Sequence, residues 1–392
     1  MLKVLINAVS AKSGGAVSYI RNLADELVMS YPKYEFIFVC PSDQVGSILK
    51  VGRNIKVILT EIGQQSSWKR FLWDQIALRR IIQKEKVVLL ISSSDFGVWF
   101  PPCRQILMIR NSLFFSREYL KKILPQKSLR FKLEFFLRRW FISLSAKSSD
   151  AVVTASKSMM EAVRRSIPIP DGKAVVNCFG VSLDRFARHP TNSSEDVRNE
   201  PRKPFQILYV SEYSDYKNLT TLLKALPILR ETGKVDFCLV STLDPSQFSD
   251  VEIISREEDK TLASSPQIAP FVKFTGSIPY DEIPHLYRHS DLFVFASLAE
   301  SFGHPLVEAM ASELPIIASD IPICREICGE AAVYFNPLDP ENLAEKIIFL
   351  WNNPDLMRQM GQKGRKRVET HFDWKDHARR LVDIIEQVMA KG

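Results

Sequence analysis

Two carboxylates, Glu300 and Glu308, stand eight positions apart in the stretch SLAESFGHPLVEAMASELPIIASD, residues 297–320. Between them lie Gly303, His304 and Pro305. An ionised carboxylate is a good bidentate acceptor for the vicinal hydroxyls of a sugar or a ribose. Pro305 suits the first turn of a helix, where its missing N–H costs nothing. The backbone N–H groups from Gly303 through Leu306 to Val307 then lie at a helix N-terminus, which favours a phosphate. Taken singly, Glu308 reads as well as a charge placed in the helix N-terminal field, and Glu300 as a solvated loop residue. Both together, around Gly303, point to a polyhydroxylated anionic ligand.

Three further places offer chemistry. Gly14 and Gly15, in NAVSAKSGGAVSY, fall between a strand and a helix start, where backbone N–H groups can approach a phosphate or a sugar. The pair is not the G-x-G-x-x-G fingerprint of dinucleotide binding, and a tight turn needing glycine explains it equally well. Lys217, in YVSEYSDYKNLTTLL, follows a strand and precedes a helix; it would add a point charge suited to a diphosphate, or lie solvated. NCFGVSLDRF, residues 177–186, puts a glycine after an apolar run and would serve equally as a domain-closing turn. The chain has no nucleophile elbow, no Ser/His/Asp grouping, no phosphate-binding Walker loop and no D-x-D in a cleft-like context, so a metal is not expected.

These residues need strand ends to hold them. Apolar runs KVLINAV, YEFIFVC, NIKVILT, KVVLLIS, CRQILMIRN and DAVVTAS alternate with helical patterns such as GAVSYIRNLADELVMS and RFLWDQIALRRIIQKE. After a polar stretch the alternation restarts with FQILYVS, DFCLVST, FVKFTGS, DLFVFAS and PIIAS. Strands alternating with helices predict parallel sheets covered on both faces. The expected fold is therefore α/β with two doubly wound parallel-sheet domains. Ligands of such folds bind outside the carboxyl ends of the strands, which places the expected site in a central cleft between the domains. The predicted boundaries are a first domain over 1–187, a linker over 188–204, a second domain over 205–370 and a tail helix over 371–392 that packs back toward the first domain.

The 392 residues are 46% hydrophobic and 25% charged, the balance of a globular chain with a substantial core. Six scattered cysteines lack metal-ligand spacing and read as buried thiols in a reducing compartment. MLKVLINAVS is too short in its apolar run for a signal peptide and reads as a first strand, and nothing approaches the ~20 apolar residues that span a bilayer. A cytoplasmic protein is expected, in contact with the inner face of the membrane if it touches one. The net charge of +7 is concentrated in residues 119–150, where Arg130, Lys132, Arg138 and Arg139 interleave with Phe131, Phe135, Phe136, Trp140 and Phe141. Two readings are open: a helix over 119–147 lying on an anionic membrane, or an aromatic stripe packed into the core. No nucleic-acid-binding signature accompanies the charge.

FVFASLAESFGHPLVEAMASELPIIASDIPICREICGEAAVYFNPLDPENLAEKI resembles the signature region of the group 1 (family 4) glycosyltransferases, retaining enzymes of the GT-B fold. The resemblance is dense over the second domain. It extends in fragments to SGGAVSYIRNLADEL, FGVSLDRF and HFDWKDHARRL. It implies a nucleotide-diphosphate sugar held by the second domain, with GDP-mannose or a UDP-hexose favoured, and a glycan or lipid-linked glycan acceptor held by the first. The product class implied is cell-surface polysaccharide or lipopolysaccharide. Glu308 matches the ribose-binding glutamate. Glu300 matches the one near the transferred sugar, with Ser301, Phe302 and Gly303 offering backbone N–H groups. Lys217 matches the diphosphate lysine, and Gly15 the loop that closes on the donor phosphate. No cofactor or metal is implied beyond the donor itself.

Two departures matter. The arginine that usually precedes the lysine is absent, and Ser211 and Glu212 occupy that pair. The histidine of the first domain is also absent, and Arg110 and Asn111 stand at about its place. Arg110 is the candidate for the missing cation or for acceptor contact. Glu212 motivates an alternative, a non-catalytic relative that binds sugar nucleotides or a partner enzyme.

Overall fold

The computed structural model describes residues 1–11, 14–41, 54–187, 204–233, 235–249 and 252–391. The chain divides into two compact units. The first contains Met1–Phe115, Leu129–Gly180 and Asp373–Gly392; the second contains Ser116–Ser128 and Val181–Phe372. The expected linker, 188–204, lies outside the described residues except for Pro204.

In the first unit the strands are β1 (Leu2–Asn7), β2 (Tyr34–Pro41), β3 (Ile55–Thr60), β4 (Leu89–Ser92), β5 (Arg104–Met108), β6 (Ala151–Thr154) and β7 (Ala174–Val176). They form one parallel sheet in the order β3-β2-β1-β4-β5-β6-β7. The chain builds outward from β1 to one side, then returns to β4 on the other, so the topology switches between β1 and β4. β4 is buried at all four positions, as a parallel strand covered on both faces requires. The helix Gly14–Ser30 follows β1. A longer helix runs from Ser67–Trp73 through a π-turn at Asp74–Leu78 to Arg79–Glu85. It covers one face with Leu78 and Ile82, which pack on Leu5, Ile37, Val39 and Leu90. β7, only three residues long, was not legible as a strand.

The helix expected over 119–147 is shorter and divided. Its regular part is Leu129–Ser148, while Tyr119–Ile123 is a π-turn and Leu124–Gln126 a 3-10 turn that cluster with the second unit. The two readings of its aromatics each hold for part of the set. Phe135 is buried against Phe114, and Phe141 meets Trp68, Phe71 and Trp99 at ring separations of 4.9–5.3 Å. Phe136 and Trp140 face outward with Leu129, Leu133 and Leu137.

The tail helix Trp374–Ala390 belongs to the first unit. His377 is fully buried there, its ring nitrogens 2.9 Å from the Cys178 carbonyl and 3.2 Å from the Tyr19 hydroxyl. Asn177 Nδ2 donates to the His377 carbonyl, and Arg380 Nε donates to Asn177 Oδ1. Gly180 permits this approach, because a Cβ there would lie 2.5 Å from the Trp374 nitrogen.

The second unit carries β8 (Phe205–Tyr209), β9 (Phe237–Ser241), β10 (Val272–Phe274), β11 (Leu292–Phe295), β12 (Ile316–Ser319) and β13 (Ala332–Phe335). Its sheet is also parallel, in the order β10-β9-β8-β11-β12-β13. Here the switch falls between β8 and β11. The helices Leu219–Thr232 and Pro340–Trp351 cover one face through Leu222, Leu226, Leu343 and Ile347. The turn 181–187, expected with the first domain, clusters with the second: Val181 N–H donates to the Phe372 carbonyl, and Arg365 Nη1 to the Leu183 carbonyl. Among the described residues no helix is long and apolar enough to cross a membrane. All six cysteines are free thiols.

Candidate active site

The switch between β8 and β11 is where a doubly wound sheet leaves room at its carboxyl edge. The loops leaving these two strands are tied together there. Leu298 N–H donates to the Tyr216 carbonyl at 2.7 Å, and Asn218 Nδ2 to the Ala296 carbonyl at 3.1 Å. Asn218 adopts a left-handed conformation, φ 62°, which ends the Asp215–Lys217 turn and starts the next helix. The consequence is that Lys217 and Glu300, 83 residues apart, form an ion pair between Lys217 Nζ and Glu300 Oε1. The side chains are only 15% and 13% exposed. Ser297 Oγ donates to the same carboxylate at 3.2 Å. Burial pulls the Lys217 pKa down, but the Glu300 charge and then Tyr216 outweigh it and leave the ammonium above the ordinary lysine value.

The loop after Glu300 closes on Gly303, whose φ of 83° is a conformation that L side chains rarely adopt. It caps the helix His304–Ala311, with Pro305 in the first turn as expected. Leu306 N–H donates to the Gly303 carbonyl at 2.9 Å, so that amide is used in closing the turn rather than left for a ligand. The side chains of Leu306, Val307 and Phe302 are buried, and Phe302 packs on His304 and Phe372. Any contact these residues make with a ligand is therefore through backbone.

Glu308 departs from its expected place. It is the fifth residue of the helix rather than part of its first turn, and no acidic residue stands in that turn. A charge–dipole role therefore does not explain it. The carboxylate is buried and held by phenols: Tyr287 Oη donates to Oε2 at 3.0 Å and Tyr280 Oη to Oε1 at 3.3 Å. Burial pushes its pKa up to about 7, opposed by the bonds from Tyr287 and Tyr280 and by the charge of Arg185. Arg185 comes from the DRF of the third candidate stretch. It pairs with Asp281 at 2.5 Å and lies over the Tyr280 ring at 5.2 Å. Tyr280 and Tyr287 carried no sequence signal, because their role depends on a helix packed beside Glu308.

A third position that sequence reasoning missed is Lys127. From the 116–128 segment it reaches Asp215, at the start of the Lys217 turn, with Nζ 2.6 Å from Oδ2. Asp215 Oδ1 accepts from the Ile254 and Ser255 amides, so this ion pair fixes the turn's other end. Glu212, in the position of the usual arginine, is exposed.

In the first unit, Gly14 and Gly15 open the helix Gly14–Ser30 at the carboxyl end of β1. Arg110 follows β5, its backbone N–H donating to Asp95 Oδ1 at 2.7 Å, with the Asn111 N–H on the same oxygen at 3.0 Å. The guanidinium lies 4.6 Å from the Tyr19 ring centre and 5.3 Å from that of Phe179. Burial holds its pKa below the ordinary arginine value. Tyr19 belongs to the helix that the glycine pair opens, so the sheet brings Arg110 beside that helix. The sequence could not pair the two, which are 91 positions apart (110 − 19).

These arrangements can be compared with known proteins. The family described as Glycosyl transferases group 1 matches residues 191–367, and Glycosyltransferase Family 4 matches residues 13–185. An MMP alpha-(1->4)-mannosyltransferase of Mycolicibacterium hassiacum is 29% identical over 45% of this chain and 41% of its own length. O-antigen chain mannosyltransferase B of Escherichia coli is 23% identical over 52% of each chain. The chain thus spans about half the length of the curated relatives it matches. Among solved structures, HepE of Anabaena in complex with UDP-glucose superposes with a TM-score of 0.74, at 16% identity, covering 98% of this chain and 100% of that one. The fold is GT-B, two parallel-sheet α/β domains, as expected from the alternation of strands and helices. With one family matched over each half, the chain belongs to the family 4, group 1 glycosyltransferases.

Proposed function

We propose that this protein is a retaining, metal-independent glycosyltransferase that moves a hexosyl group from a nucleotide-diphosphate sugar to a glycan or lipid-linked glycan during cell-surface polysaccharide synthesis. The observation that carries the reading is the Lys217–Glu300 pair at the β8/β11 switch, with Glu308 on the helix that the same loop opens. An ammonium has three N–H donors, so Lys217 can hold Glu300 and still meet phosphate oxygens. Leaving-diphosphate charge would be met by Lys217 and the backbone of Ser301 to Gly303, the kind of preorganised donor set that needs no reorganisation in the transition state. Glu308 would take the ribose hydroxyls and Glu300 those of the transferred sugar. Arg110 and the Gly14–Gly15 helix start are assigned to the acceptor side and the donor phosphate. Relatives named as mannosyltransferases favour GDP-mannose, and HepE with UDP-glucose favours a UDP-hexose.

The acceptor is proposed to be lipid-linked. Leu129, Leu133, Phe136, Leu137 and Trp140 form an outward apolar stripe on one helix, flanked by Arg130, Lys132 and Arg139. Such a face suits the surface of an anionic bilayer.

The test is donor turnover. Purified protein incubated with GDP-mannose, UDP-glucose and UDP-galactose should hydrolyse one of them slowly, and Glu308→Ala should abolish this. Binding without turnover on any acceptor, or turnover untouched by Glu308→Ala, would overturn the reading. Sedimentation with vesicles containing anionic lipid tests the surface: Trp140→Glu with Leu133→Glu should leave the protein in the supernatant.

A further inference from the structure

Glu308 is not merely buried; both of its oxygens accept phenolic hydrogen bonds. We infer that Tyr287 and Tyr280 are positioning residues that hold Glu308 in the rotation and charge state needed to receive a ribose diol. This rests on the donor-binding reading above and names what makes it work. Each carboxylate oxygen has two lone-pair directions. Tyr287 occupies one on Oε2 at 3.0 Å and Tyr280 one on Oε1 at 3.3 Å, leaving one on each oxygen for a pair of vicinal hydroxyls. Tyr287 is itself anchored, since its ring packs on Phe186 and Phe293 and its hydroxyl lies 3.3 Å from the Pro305 carbonyl. The hydroxyl is thereby aimed by the same helix turn that carries the glutamate.

The groups that act on Glu308 are these two tyrosines, from the turn and helix around 280–288, and Arg185, from the short helix 183–186, itself paired with Asp281. Burial alone opposes ionisation, and the three together support it. Only the ionised form accepts two hydroxyl donors, so donor affinity should weaken as pH falls through the Glu308 pKa of about 7. Removing one phenol removes a hydrogen bond to a charged group, worth roughly a tenfold factor or somewhat more. The titration midpoint should therefore rise by about one pH unit in Tyr287→Phe.

The experiment is calorimetric binding of UDP-glucose and GDP-mannose to the full chain between pH 5.5 and 8.5. Sugar nucleotides are the right probes because neither phosphate titrates in that range. Wild type should bind one of them with an affinity that falls below pH 7. Tyr287→Phe should bind about fivefold more weakly at pH 7, recover at pH 8.5, and show its midpoint shifted upward by about one unit; Tyr280→Phe should shift it less, its bond being longer. Glu308→Gln should bind weakly with a flat profile. If Glu308→Gln binds like wild type, or neither probe binds wild type, the donor-site reading itself fails. If Glu308→Gln is weak but both tyrosine variants keep the wild-type midpoint, the positioning role is overturned while the donor site stands.

Discussion

Replacing Lys217 by methionine isolates the pair on which the proposed activity depends. The substitution keeps most of the side-chain volume and leaves the Ser297 hydroxyl donating to the Glu300 carboxylate. Removing one member of a buried ion pair costs about 3–5 kcal/mol, because the other charge stays desolvated. Here both side chains keep some solvent contact, 15% and 13%, so about 2 kcal/mol is the expected stability loss. For a unit of this size that lowers the melting temperature by about 4–8 °C. Loss of the cation proposed to neutralise the leaving diphosphate should cost a further, separate factor of about 10²–10³ in turnover. Thermal unfolding and initial rates of donor consumption read the two effects independently. The double variant Lys217→Met with Glu300→Gln should recover most of the stability, since no unpaired charge remains, and none of the activity. Two outcomes would refute the reasoning: a single variant as stable as wild type, which means no pair forms in solution, or a destabilised variant with normal turnover, which removes Lys217 from the chemistry.

Three other outcomes are expected. Glu308 and Asp74 are both buried carboxylates pushed up to about 7 by desolvation, so the folded state holds protons that the unfolded chain has already released. Stability from each is fully present below the unfolded carboxylate range and is lost as pH rises through about 7, so melting temperature should rise from pH 8 to pH 6, and Glu308→Gln should flatten the slope. Gly303→Ala places a Cβ 3.0 Å from Leu306 Cδ1 on a backbone at φ 83°, and should cost about 1–3 kcal/mol while displacing the amides of the loop, read as a lower melting temperature with weakened donor binding. Gly180→Ala drives a Cβ into the Trp374 backbone at 2.5 Å, so the tail helix should lose amide-exchange protection while a Gly172→Ala control, which meets no neighbouring atom, keeps it.

The two sheets were legible because their cause is local. Apolar runs of four to six residues, alternating with helical periods, leave few arrangements other than parallel strands covered on both faces. Glu300, Gly303, Pro305 and the helix they open were legible for the same reason, since capping chemistry is written within a few residues. The missed strands β7 and β13 are three and four residues long and are paired along one side only, so little periodicity marks them. The aromatic stretch of Leu129–Ser148 could not be resolved either, because one helix presents rings both to Trp68 and Phe71 and to the outside.

What the amino-acid order determined by itself was therefore the architecture and the presence of a carboxylate-flanked helix start at a strand's carboxyl end. What only the tertiary structure decided was which groups meet there. Lys217 reaches Glu300 because β8 and β11 become neighbours at the switch in strand order. Glu308 moved from a dipole position to a phenol-bound one because Tyr287 and Tyr280 pack beside its helix from 21 and 28 residues upstream. Lys127 joins Asp215 across 88 residues. Pattern along the chain sets the period of each element, but a hydrogen bond between distant residues exists only where the packing of sheets, helices and loops brings their side chains together.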